Sequence, residues 1–165
     1  LLLGFTSGGR RRDEIAHLRV EDLSKVDGGY LMKLRKSKTD QGGKGFEVPI
    51  LGQAATALKA WLVQSGLRSG ALFRGIHNNG KLNEGISGRT MYRMVKRRIK
   101  LIGLEPDQFG AHSLRSGFIT EAARSGATLG DAMALSGHKS VKIASGYYRE
   151  ADMLDNSASS LLDIK

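Results

Sequence analysis

Apolar residues recur at helical spacing through most of this sequence, but glycine-bearing breaks keep every such stretch short. Asp27-Gly28-Gly29, Asp40-Gln41-Gly42-Gly43, His77-Asn78-Asn79-Gly80, Gly126 and Ser136-Gly137 interrupt the pattern. A chain punctuated this way can bury its apolar faces only by packing many short elements together. Helices are predicted over Asp13 to Leu23 and Gln53 to Val63. Another begins at Ser87, with Met91, Val95, Ile99 and Ile102 as its stripe, and is stopped by Pro106. Three more cover Ser113 to Ser125, Thr128 to Ser136 and Val141 to Arg149. Tyr30 to Leu34 and Phe46 to Leu51 read as a strand hairpin. Ala71-Leu72-Phe73 reads as a short buried strand, followed by a second small hairpin. The expected fold is α+β, mostly α: one helical domain, residues 1–150, with a small antiparallel sheet. An acidic tail follows at 151–165. The 165 residues suit a single core of ordinary size.

Charge is unevenly spread. Lys and Arg number 26 against 16 Asp and Glu, for a net charge of +10. The positive residues gather at Arg10-Arg11-Arg12, at Lys33 to Lys38 and at Arg89 to Lys100, whereas the tail from Glu150 is acidic. On the predicted helix after Ser87, Arg89, Arg93, Lys96, Arg97 and Lys100 form one ridge. Segregation of this kind points to a polyanionic partner, nucleic acid first.

Several chemistries drop out. The absence of cysteine excludes disulfides, thiolate nucleophiles and thiolate metal sites, and suits a reducing cytoplasm. No HExxH, P-loop, GxGxxG or GxSxG pattern occurs, so neither metal nor cofactor is expected. No apolar run approaches the roughly 18–20 residues a membrane span requires. What remains is strongly basic groups and tyrosines. His112 and Arg115 stand three apart at a predicted helix start, where free backbone N–H groups favour a phosphate. His138 follows a helix break, and Tyr147 lies nine residues further on, beside Tyr148.

Taken in order, these residues resemble the catalytic domain of the tyrosine recombinase (phage integrase) family. Gly9 to Leu23, with Glu14, Leu18-Arg19 and Asp22-Leu23, is similar to its first-arginine box, and that pattern selects Arg11 over Arg10 and Arg12. Lys38, in Lys36-Ser37-Lys38-Thr39, matches the hairpin lysine, with Lys36 and Lys44 as alternatives. Ala111-His112-Ser113-Leu114-Arg115 matches the second box. Leu135-Ser136-Gly137-His138-Lys139-Ser140 with Tyr147 matches the third box and nucleophile, Tyr148 being the alternative. The resemblance implies metal-free DNA strand cleavage and rejoining through a 3′-phosphotyrosyl intermediate. Tyr147 would attack, His112 accept its proton and Lys38 protonate the departing 5′ oxygen. Arg11, Arg115 and His138 would hold the phosphate, with Glu14 bracing Arg11. The Arg89–Lys100 ridge would touch the phosphate backbone of double-stranded DNA. The resemblance further implies four protomers on two duplexes, a core-binding domain outside this chain and a cytoplasmic, nucleoid-associated setting. The tail's Leu161-Leu162-Ile164 cluster is either disordered or docked on a neighbouring protomer.

Overall fold

A computed structural model of the chain describes residues 1–35, 45–110 and 112–152. Lys36, Lys38, Lys44 and the tail beyond Asp152 lie outside the described residues, so the hairpin lysine and the tail docking expected above have no structural counterpart here. The described part is mostly helical, with one three-stranded antiparallel sheet, in agreement with the expected class.

The sheet runs β1 (Leu23–Val26), β2 (Gly29–Leu34), β3 (Phe46–Leu51), in that spatial order. Register pairs Met32 with Val48, Tyr30 with Ile50 and Leu34 with Phe46. Strand alternation then sends Met32, Leu34, Val48 and Ile50 to one buried face, while Lys33, Glu47 and Pro49 point outward. Pro49, which has no N–H to give, sits on an edge strand. Helix α3 (Gly52–Ser65) packs Ala54, Ala55 and Leu58 against that face and ends at Gly66, where φ is 65°. Leu72 completes this core, its carbonyl accepting the Trp61 indole N–H at 2.7 Å.

Three predicted elements differ. The helix expected from Asp13 to Leu23 stops early: after α1 (Leu2–Thr6), α2 covers only Arg12–Ala16, and a 3₁₀ turn over Val20–Asp22 leads into β1. The cause is tertiary. Leu18 gives its carbonyl to the Leu72 N–H at 2.8 Å, and Asp22 takes the Arg19 N–H at 2.9 Å, so the chain must extend there. The strand expected at Ala71-Leu72-Phe73 reduces to one bridge between Arg19 and Ala71, and the second hairpin to one bridge between Ile76 and Leu82. Asn83 replaces the missing ladder by accepting the Gly75 and Gly85 N–H groups with its side chain.

The second half is helical. Helix α4 (Gly88–Leu101), capped by Ser87 on the Thr90 N–H, packs on α2. Helix α5 (Ser113–Arg124) lies against α1, α6 (Leu129–Ser136) and α7 (Val141–Asp152), with Ile119 and Ala144 fully buried. Phe5 and Phe118 meet edge to face at 6.2 Å.

Leu72 is fully buried beneath the sheet and tied by backbone to Leu18. Leu72→Ala is therefore expected to lower unfolding stability by about 2–5 kcal/mol, read as a fall in the urea midpoint with the slope unchanged.

Candidate active site

The turn between α1 and α2 is built on glycine. Gly8 and Gly9 take φ of 102° and 66°, which L side chains rarely adopt. A Cβ at Gly8 would overlap the Leu135 carbonyl, and one at Gly9 would overlap the Arg115 Cα. This backbone contact sets the start of α2 directly against α5 and the end of α6. Arg11, Arg115 and His138, far apart in sequence, meet as a result.

Arg11 stands at the N-terminus of α2. Glu14 holds it twice, accepting the Arg11 backbone N–H at 3.0 Å and its Nη1–H at 3.0 Å. The Glu14 side chain is only 10% exposed against 38% for Arg11, so the carboxylate is the inner partner and the guanidinium looks outward. Arg115, from the first turn of α5, donates Nε–H to His138 Nε2 at 3.2 Å and Nη1–H to the Ser136 carbonyl. Ser136 Oγ lies 2.7 Å from His138 Nδ1. Because an arginine N–H can only donate, His138 Nε2 must accept, and the ring is therefore neutral with its proton on Nδ1, given to Ser136 Oγ. Electrostatics agree: burial first, then Arg115, Arg11 and Arg10, push the His138 pKa from 6.5 down to about 4. Burial and Arg11 likewise lower that of Arg115, while Glu14 and Tyr147 work against the shift. A cavity of about 310 Å³ opens here, lined by Arg10, Arg11, Glu14, Phe46, His138 and Lys139.

The remaining expected residues are placed as follows. Tyr147, half-buried on α7, lies within electrostatic reach of Arg115. Tyr148 is committed elsewhere: its hydroxyl is 3.0 Å from the Ala127 carbonyl and 2.9 Å from that of Thr128. His112 occupies the N-cap position of α5, exposed; its side chain makes no cap hydrogen bond, and its carbonyl accepts the Arg115 backbone N–H at 2.9 Å. On α4, Arg89, Arg93, Arg97 and Lys100 are exposed, whereas Lys96 turns its ammonium onto the Pro106 carbonyl and Asp107 and lies 5.2 Å from the Tyr92 ring centroid. Two residues escaped the sequence reading: Ser136, which orients His138, and Arg10, buried beside the cluster. A serine two residues before the histidine is a faint signal. Arg10 is masked by its arginine neighbours. Among the described residues no group of His, Asp or Glu is arranged to hold a metal ion, and no helix is long and apolar enough to cross a membrane.

Residues 2–153 match the model of the phage integrase family. The chain is 33% identical to an integrase/recombinase xerD homolog of Selenomonas ruminantium, over 96% of this chain and 48% of that protein. It is 27% identical to the recombinase cre of Escherichia phage P1, over 84% of this chain and 45% of that protein. It thus spans about half the length of the curated relatives it matches. Among solved structures, XerH site-specific recombinase bound to a palindromic difH substrate in a post-cleavage complex superposes with a TM-score of 0.74 at 23% identity. That match covers 99% of this chain and 44% of the XerH chain. XerA recombinase gives 0.71 at 21% identity, over 99% of this chain and 56% of its own.

The low His138 pKa makes a pH prediction. Unfolded, the ring titrates near 6.5; folded, near 4, so the unfolded chain binds the extra proton between these values. The contribution is fully present above about pH 6.5 and is lost as pH falls towards 4. NMR titration of the protein alone should place the His138 midpoint well below 6.5. His138→Gln should flatten the dependence of thermal stability on pH within that window.

Proposed function

This chain belongs to the phage integrase family, and from that premise we propose that it is the catalytic domain of a site-specific DNA recombinase, cleaving and rejoining strands through Tyr147 without a metal. The observation that carries this reading is the convergence of Arg11, Arg115 and His138 from three separate elements, with Tyr147 in electrostatic reach.

Cleavage of a phosphodiester passes through a pentacoordinate phosphorane with more negative charge than the ground state, which fixed cations stabilise selectively. Arg11 and Arg115 each offer planar, paired N–H donors suited to non-bridging oxygens. A phosphate seated between Arg115 and His138 takes over the Arg115 Nε–H. Its charge also favours protonation of His138, which turns Nε2 from acceptor into donor. The anion thereby converts an internal contact into two contacts to itself. The Tyr147 oxygen then attacks phosphorus. The P–O5′ bond breaks, leaving a 3′-phosphotyrosyl ester and a free 5′-hydroxyl. In this reading His112 takes the phenol proton and Lys38 supplies the proton to the departing oxygen. Because the ester conserves the bond energy, attack by another 5′-hydroxyl rejoins DNA without ATP. The exposed α4 arginines and Lys100 would follow the phosphate backbone, and four protomers on two duplexes would complete strand exchange. The setting is the cytoplasm, on the nucleoid.

A nicked suicide duplex tests the chemistry, since cleavage traps a covalent adduct that survives boiling in detergent. Wild type should form it and Tyr147→Phe should not. Tyr148→Phe, which loses the anchor to Ala127 and Thr128, should still form it. Adduct formation by Tyr147→Phe would move the nucleophile elsewhere. The α4 face has a separate signature: neutralising Arg93 and Arg97 to Gln should reduce the slope of log K against log salt by about 1 per residue, for specific and random DNA alike.

A further inference from the structure

Of the run Arg10-Arg11-Arg12, only Arg10 is buried, with 5% of its surface exposed. Among the described residues it has no carboxylate at ion-pair distance, and its Nε–H finds no acceptor. Its guanidinium lies 5.9 Å from the Phe46 ring centroid, and Nη2 donates to the Leu135 carbonyl. Burial pulls its pKa down to about 10, with Glu14 partly opposing. A cation kept in the interior on such terms is costly to stability, so its place calls for a purpose beyond packing.

The Leu135 carbonyl supplies one. It belongs to the last turn of α6, where carbonyls have no intrahelical partner and the helix dipole is negative, an arrangement that suits a cation. The next carbonyl, that of Ser136, accepts from Arg115. Two successive carbonyls are therefore gripped by two arginines from two different elements, and the two residues after them are Gly137 and His138. Gly8 leaves the space this needs, since a Cβ there would meet both Arg10 Nη2 and the Leu135 carbonyl. Nη2 is committed to Leu135 and Nε faces the interior, so Arg10 reaches α6 even as it borders the cavity.

We propose that Arg10 is a positioning residue: by clamping the C-terminus of α6 it holds His138 in line with Arg115 and Arg11. The assignment rests on reading that cluster as the phosphate site.

The experiment compares Arg10→Met and Arg10→Lys with wild type in the full chain, by single-turnover cleavage of the suicide duplex and by NMR titration of His138 without DNA. Arg10→Met should cleave about 10–100-fold more slowly at saturating DNA, with affinity nearly unchanged. Its His138 midpoint should rise, one of the neighbouring cations being gone. Arg10→Lys keeps a cation without the planar fork and should recover part of the rate and most of the midpoint. A folded Arg10→Met protein with wild-type rate and midpoint overturns the proposal. Should Arg10→Met lose its cooperative melt, a folded Arg10→Lys protein with a reduced rate supports the proposal, and one at the wild-type rate overturns it. Loss of fold in both variants also overturns it, because the residue is then structural. If wild type forms no adduct, the recombinase reading fails, while the His138 midpoints still judge the Arg10 clamp.

Discussion

The glycine pair at 8 and 9 permits a backbone-to-backbone approach on which the rest of the site depends. A turn with φ of 102° and 66° lies against the Leu135 carbonyl and the Arg115 Cα, with no room for a side chain on either residue. The N-terminal segment also engages the sheet and α3 side of the molecule, through Leu3 and Leu18. Helices α5, α6 and α7 form their own packing unit around Ile119 and Ala144. Glycine sets how closely these two bodies meet, because backbone has no rotamers with which to adjust, and the Phe5–Phe118 contact packs beside that joint.

That rigidity has an electrostatic purpose. Arg10, Arg11 and Arg115 repel one another, and Glu14 is the one carboxylate whose attraction the pKa shifts of Arg10 and Arg115 register. Such groups would not gather spontaneously. They are held together by helix packing and glycine contact elsewhere, and burial, with the neighbouring cations added to it, depresses the basicity of Arg115 and keeps the histidine neutral. Cations fixed in this way form a site organised for an anion before one arrives.

Much of this was legible in the residues themselves. Met91, Val95 and Ile99 with the Ser87 cap, the alternation in Tyr30–Leu34 and Phe46–Leu51, and the Thr128 and Gly137 caps of α6 follow local rules and reappear in the structure, whereas Ile102, expected in the same stripe, sits exposed at the C-cap of α4. The second half of the predicted Asp13–Leu23 helix was not legible. Leu18 is claimed by a hydrogen bond from Leu72, 54 residues downstream, and no local pattern announces that. The site divides in the same way. Motif spacing marked Arg11, Arg115, His138 and Tyr147, but not that Arg10 faces inward and Ser136 orients the imidazole. Inward or outward is decided by which surfaces meet, a property of the assembled fold.

The two neighbouring tyrosines show how geometry separates chemically equal groups. They point about 100° apart around α7, as consecutive helical residues must. Tyr148 is moored to the Ala127 and Thr128 carbonyls in the connection between α5 and α6. That mooring, together with the packing of α7 on α5 and α6, fixes the helix about its own axis and with it the direction of Tyr147. Two phenols adjacent in sequence thereby acquire different neighbours: one is tethered to a pair of loop carbonyls, and the other stays on the side of α7 that senses Arg115.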